Sequence, residues 1–182
     1  MKVTDKYVFF WKESPFCNFT KCKIKFADPY YVSYDEDPMV FTSSEQMFMW
    51  KKAQFFNDHE ISRKIYETGD PETARKLGRE VKNYNDRLWS KERYNIMKSI
   101  VQAKFIQNKD LRDELLNPKY EGKHFVEASP YDRVWGIGCD ESSALKLDNY
   151  KNWGENNLGK ILDEVRDWCK KNKDILDYFK VK

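Results

Sequence analysis

The period of the apolar pattern changes near Thr42, and that change limits the fold more than any other feature of the sequence. Before it, apolar residues come in short runs: Tyr7–Phe10, Cys22–Phe26, Tyr30–Ser33 and Met39–Phe41. These runs are aromatic and β-branched, and Ser14-Pro15 and Asp28-Pro29 punctuate them, so they read as short strands. Beyond Thr42 the signals are helical. Thr42-Ser43-Ser44-Glu45 has capping-box spacing and opens a helix to about Phe56. Asp58 caps a second, to about Glu67, and Asp70-Pro71 reads as an N-cap followed by Pro at N1, starting a third through about Glu80. A long helix follows from about Asp86 to Gln107, then a short one, Leu111–Leu116. Lys123–Ala128 returns to strand, Ser129 to Glu155 reads as a long loop, and a last helix runs from near Asn156 to about Lys171, with a further turn at Asp174–Phe179. Strands and helices segregated in this way predict an α+β fold.

The chain has 182 residues, the size of one domain, with its core expected over about residues 9–170. Aromatic residues make up 16% and charged residues 35%, which excludes a disordered chain. A formal net charge of +3 is too small for strong duplex binding. Cys17, Cys22, Cys139 and Cys169 form no C-x-x-C pair, so free thiols in a reducing compartment are expected. His59 and His124 lie far apart, and no metal site is expected. No stretch approaches the ~20 apolar residues of a membrane span. The expectation is a soluble, cytoplasmic protein with no membrane association and no cofactor.

Five segments carry groups suited to chemistry. In the helix that opens near Thr42, Glu45 and Lys52 are seven residues apart and therefore share a face, with Phe48 between them. A carboxylate and an ammonium on one face form a possible acid/base pair. Equally, Glu45 stands where a capping box wants Glu at N3, and Lys52 fits a solvated face. Arg75 and Arg79 lie on adjacent turns, suited to phosphate or to plain surface charge pairs. Trp89 lines up with Ile96, Ile100 and Ala103, which makes it a core residue by periodicity, although Trp also stacks on bases. After the strand at Lys123–Ala128 a loop bears Asp132, Trp135, Gly136 and Gly138. Glycine lets backbone N–H groups approach a ligand, and a loop Asp among aromatics suits catalysis, or else simply closes a turn beside a buried Trp. Asn156 introduces the last helix, either as its N-cap or beside free N–H groups that favour a phosphate.

Taken in order, these segments resemble the NADAR (YbiA-like) family. Ser14-Pro15-Phe16-Cys17-Asn18-Phe19 resembles the family's S-P-F-x-N-F, and Ser44-Glu45-Gln46 through Lys52-Ala53 resembles its S-x-E-H/Q-x-F-x-x-x-K-A helix. Ala74 with Leu77-Gly78-Arg79 resembles A-x-x-L-G-R, and Met97 through Lys104-Phe105 resembles I-M-x-x-x-x-x-K-F. Asp132-x-x-Trp135-Gly136-x-Gly138 and Gly154-x-Asn156-x-Leu158-Gly159 complete the set. The resemblance covers roughly Phe9 to Val165. Met47, Met49 and Trp50 depart from the family's more usual aromatic, Gln and Ala residues. The segment Cys139–Trp153 is longer than in the compact riboflavin-linked branch.

The resemblance implies a compact α+β domain that hydrolyses N-glycosidic bonds. One branch of the family acts on phosphoribosylamino-pyrimidine intermediates of riboflavin synthesis, and another removes ADP-ribose from guanine bases in nucleic acid, opposing ADP-ribosyltransferase toxins. The expected partner is therefore an ADP-ribosylated nucleobase or nucleic acid, or a small molecule bearing ribose phosphate; a non-catalytic ADP-ribose-binding module is the competing class. The resemblance marks Glu45, Lys52 and Asp132 as catalytic. It marks Asn18, Phe19, Phe48, Arg79, Trp89, Trp135, Gly136, Gly138 and Asn156 as substrate-binding, and it requires no metal. One carboxylate would stabilise an oxocarbenium ion and activate water while the other assists the leaving base. Alternatively, a desolvated Lys52 captures C1 of the ring-opened sugar as a Schiff base, and the sequence leaves both routes open.

Overall fold

The computed structural model describes residues 1–26, 38–146 and 149–178. Its elements in chain order are β1 (Lys2–Val3), β2 (Tyr7–Phe10), β3 (Ile24–Phe26), β4 (Met39–Phe41), α1 (Ser44–Phe55), α2 (His59–Thr68), α3 (Pro71–Arg79), α4 (Asp86–Gln107) and α5 (Lys109–Leu115). There follow β5 (His124–Glu127), α6 (Glu141–Ala144), α7 (Asn157–Lys171) and α8 (Lys173–Tyr178), with short 3-10 helices at Pro118–Tyr120 and Asn149–Asn152. The fold is α+β. The strand expected at Tyr30–Ser33 lies outside the described residues. Among these, no helix is long and apolar enough to cross a membrane.

Local chemistry accounts for most of the helix starts. Asp58 and Asp70 cap α2 and α3 by accepting from the N–H groups of Ile61 and Thr73, and Pro71 opens the first turn of α3. Asn85 caps α4 in the same way through Leu88. Gly69 ends α2 in the left-handed region, at φ 62°, where glycine carries no steric cost.

The described contacts divide the chain into two compact units, Met1–Cys17 with Lys109–Lys182, and Asn18–Asn108. In the first, β2 lies between β1, antiparallel, and β5, parallel, in the register Tyr7↔His124 to Phe10↔Glu127. On this sheet Phe9, Val126, Ala128, Ile137 and Ala144 form a buried cluster, joined by Tyr7, Cys139 and Trp153. Phe10, Phe16, Tyr120 and Phe125 form a second, edge-to-face group, such as Phe16–Tyr120 at 5.6 Å between centroids. In the second unit β3 and β4 pair antiparallel, Ile24↔Phe41 to Phe26↔Met39. The end of α4 serves β3 as an extra edge: Gln107 and Asn108 use their side-chain amides to bond both backbone groups of Lys25 and Lys23. The α4 stripe is buried at Trp89, Met97, Ile100, Val101, Lys104 and Phe105. Ile96 and Ala103 are only half-buried, so the buried face is turned slightly from the one their spacing suggests.

Candidate active site

α1 carries Glu45 and Lys52, and its first turn decides what Glu45 does. Ser43, extended at φ −162°, is the N-cap, and its hydroxyl accepts from the Gln46 N–H at 3.1 Å. The cap therefore begins one residue later than Thr42, and Gln46 rather than Glu45 occupies N3. The Gln46 Oε1 accepts from the Thr42 N–H at 2.8 Å, and its Nε2 donates to the carbonyls of Ile65 and Tyr66. The capping-box position thus belongs to Gln46, and Glu45 lies buried at 8% exposure with its backbone N–H donating to the Asn18 carbonyl at 3.0 Å. Beside it, Asn18 Oδ1 and Ser44 Oγ are buried and, among the described residues, have no hydrogen-bond partner. An orphaned buried polar atom costs about 1–3 kcal/mol, so two on the residues that adjoin Glu45 through the backbone are poor design for stability and good design for holding a ligand.

Lys52 stands further along the same helix. Its ammonium donates to the Gly78 carbonyl at 2.8 Å and lies 4.2 Å from the Tyr84 ring centroid. Burial lowers its pKa below the ordinary lysine value and the Arg79 guanidinium lowers it further, while the Asp86 carboxylate opposes both. The cation that acts on Lys52 is thus Arg79, from α3. Lys51, its neighbour in sequence, turns its ammonium onto the Phe26 ring at 3.8 Å. Arg79 itself is exposed.

Phe48 packs on Trp89 at 5.2 Å between centroids, and Phe55 and Phe56 also meet that indole. At 4% exposure Trp89 is a core residue, as its periodicity implies. Phe19 is half-buried, with the Arg75 guanidinium 5.6 Å from its centroid; Arg75 also pairs with Glu72 at 2.7 Å. Spacing gave no reason to prefer Arg75 to Arg79, because only the folded chain brings Phe19 to it. Lys104 is not among the expected site residues, although a Lys inside the stripe of Ile100, Val101 and Phe105 is a visible anomaly. It is buried at 1% exposure, and its charge lowers the pKa of the Cys22 thiol, against the larger upward push of burial.

The remaining candidates belong to the first unit. Asp132 is half-buried, and its Oδ1 accepts from the N–H groups of Val134 and Trp135, both at 2.8 Å. This closes a turn, as the plainer reading of the loop expects, and among the described residues no hydrogen bond reaches its Oδ2. Trp135 is half-buried. Gly136 serves the chain's own backbone: a Cβ there would sit 2.7 Å from the Glu127 carbonyl oxygen. Gly138 adopts φ 73°, with the Arg133 side chain where its Cβ would be.

Asn156 corrects the expected cap. It stands at the N-cap of α7 in a left-handed conformation, φ 50°, and its side chain makes no cap bond. Instead the amide accepts from the Glu127 N–H at 3.0 Å and donates to the Phe125 carbonyl at 3.0 Å, bracing α7 against β5. The N–H groups of Asn156, Asn157 and Leu158 donate to the carbonyls of Gly136, Val134 and Trp135. The start of α7 is consequently filled by its own loop and is not the open phosphate site the sequence suggested.

With this geometry in place, residues 9–170 match the NADAR domain. The chain belongs to the NADAR family. An N-glycosidase of Acanthamoeba polyphaga mimivirus is 36% identical over 169 residues, covering 90% of this chain and 96% of that protein. A riboflavin biosynthesis protein of Vibrio vulnificus is 32% identical over 69% of this chain, but over only 30% of its own length. Among solved structures, the NMR structure of the Escherichia coli protein YbiA is similar with a TM-score of 0.69 and 26% identity, covering 94% of this chain and 89% of that one. The NADAR match takes in both units.

Proposed function

We propose that this NADAR-family chain removes ADP-ribose from ADP-ribosylated guanine in nucleic acid. The broader class is that of its relatives: it is a hydrolase acting on N-glycosyl bonds. The observation that carries the reading is that α1 holds both Glu45, a buried carboxylate that stands at N2 rather than at the capping-box position N3, and Lys52, an amine whose pKa is lowered by burial and by Arg79. A binding module has no use for an amine held closer to its neutral form. The long segment after Cys139, which contains α6, favours the nucleic-acid substrate over a riboflavin intermediate.

In the route proposed here, Glu45 moves protons and Lys52 is the nucleophile. The ring-opened glycosylamine presents an electrophilic C1. The neutral Lys52 amine adds to C1, the C–N bond to guanine breaks, and the base leaves with the proton relayed by Glu45. Water then adds to the C1 imine, releasing ADP-ribose and the free amine. Asp132 is assigned a catalytic part here on its motif position alone, Asp132-x-x-Trp135-Gly136. A guanine ADP-ribosyltransferase is the class of enzyme that supplies such a substrate.

The test is incubation with a single-stranded oligonucleotide bearing ADP-ribosylguanine and, separately, with the phosphoribosylamino-pyrimidine. Release of ADP-ribose is read by mass, with borohydride added to half of each reaction. ADP-ribose release and a reduced sugar adduct on the Lys52 peptide are expected. Turnover of the pyrimidine alone would overturn the substrate, and turnover without adduct by an active Lys52→Arg variant would overturn the covalent route.

A further inference from the structure

We propose that Trp11, Lys12 and Tyr131 form a platform on which one unpaired nucleobase of a single-stranded nucleic acid stacks, next in the chain to Asp132. This rests on the reading of the substrate as a modified base within a strand, and it adds a contact to a neighbouring nucleotide. Tyr131 is 88% exposed. A tyrosine so placed adds almost nothing to the core, yet its position is fixed, because the next residue is the Asp132 that closes the turn onto Val134 and Trp135. The ring that meets it is Trp11, half-buried, at 6.1 Å between centroids and 55° between planes. Trp11 directly follows β2, whose last residue Phe10 pairs with Glu127 of β5, so a sheet strand sets it in place.

Lys12 supplies the charge. Its backbone is left-handed, φ 49°, an uncommon state for a residue with a Cβ, and the turn is held by the Ser14 N–H donating to the Lys12 carbonyl at 2.7 Å. The ammonium lies 4.5 Å from the Trp11 ring centroid. One indole face is therefore taken by a cation, while the phenol keeps its faces open. A base on Tyr131 brings its own phosphate, which complements Lys12; Arg133 is exposed two residues beyond Tyr131, and the exposed Glu13 keeps the local charge modest. Aromatic faces with a nearby cation accept any base without reading its edge. A duplex hides the base faces that such a platform needs, which selects single strands.

The experiment compares the ADP-ribosylated oligonucleotide with ADP-ribosylated guanosine, using wild type, Tyr131→Ala, Tyr131→Phe, Trp11→Ala and Lys12→Ala. Tyr131→Ala and Trp11→Ala are expected to raise KM for the oligonucleotide about tenfold, with kcat and the nucleoside parameters unchanged, and Tyr131→Phe to behave as wild type. Lys12→Ala is expected to flatten the salt dependence by about 0.7 in logarithmic slope. Unchanged oligonucleotide KM in Tyr131→Ala, or an equal rise on the nucleoside, overturns the platform. Tyr131 is so exposed that its loss leaves the fold intact. If wild type cleaves neither ADP-ribosylated substrate, the functional reading has failed rather than the platform. Anisotropy with an unmodified single-stranded oligonucleotide then decides the platform alone: weaker binding by Tyr131→Ala supports it, and equal binding by both proteins rejects it.

Discussion

At Glu45 a shift of one residue in the helix start separates chemistry from capping. Because the helix is capped at Ser43, the bond back to the Thr42 N–H is made by Gln46 at N3, the position the spacing from Thr42 assigned to Glu45. Glu45→Gln keeps size and burial and removes only the charge and the proton-transfer capacity. Turnover is expected to fall at least about a hundredfold, the usual worth of a general acid–base group, while stability changes by less than about 1 kcal/mol. Steady-state kinetics and denaturant melts on the same preparation check both halves, and turnover within tenfold of wild type would remove Glu45 from the catalytic step. Asn156 shows the opposite case. Its place in Gly154-x-Asn156 suggested a ligand or cap role, but both ends of its amide are spent on β5, about thirty residues back in the chain. Partners that distant leave no local trace.

Between elements, Lys52 on α1 is tuned by the end of α3 and the start of α4. Arg79 lowers its pKa and Asp86 raises it. If the neutral amine attacks, the rate rises with pH through this pKa. Arg79→Gln then moves the rising limb of kcat to higher pH and Asp86→Asn moves it to lower pH; limbs that stay together would show that Lys52 does not titrate in the rate-limiting step. The sign for stability is also fixed. Since the folded pKa is depressed, the unfolded chain binds more protons at Lys52 between the folded and unfolded values, so this residue's contribution to stability increases as pH rises through that window. The carbonyl that receives Lys52 belongs to Gly78, and any Cβ at Gly78 would collide with the Met49 side chain. Gly78→Ala is expected to cost about 1–3 kcal/mol by overpacking, read as a lower denaturant midpoint, and Met49→Ala in the same chain to restore part of it. The elements themselves were largely legible: α2 and α3 announce their starts with Asp58 and Asp70-Pro71, and β2 and β4 are bounded as their apolar runs suggest. α6 was not, because four residues capped by Asp140 are too few to show a period. The pairing of Lys52 with Arg79 was not either, since it exists only once α1 and α3 pack.

Over the whole chain, 33 basic residues stand against 30 acidic ones, and many cancel locally. Lys64 pairs with Glu60, Lys119 with Glu114 and Lys170 with Glu121, all on the surface, where such pairs add little stability but do remove isolated positive charge. Such a molecule has little to hold a long phosphate track. Recognition of a nucleic-acid substrate then has to come from the modified base and its ADP-ribose, with at most a phosphate or two of the strand. Each neutralised phosphate on a single strand contributes about −0.7 to the slope of log affinity against log salt. The expected slope of log kcat/KM against log salt for the oligonucleotide is therefore on the order of −2, set by the diphosphate and one strand phosphate. ADP-ribosylated guanosine, which keeps the diphosphate, should lose only the strand's share. A slope steeper than about −5 would mean that the protein follows the strand through many contacts, and the substrate would then be bound as a polymer rather than as a modified base.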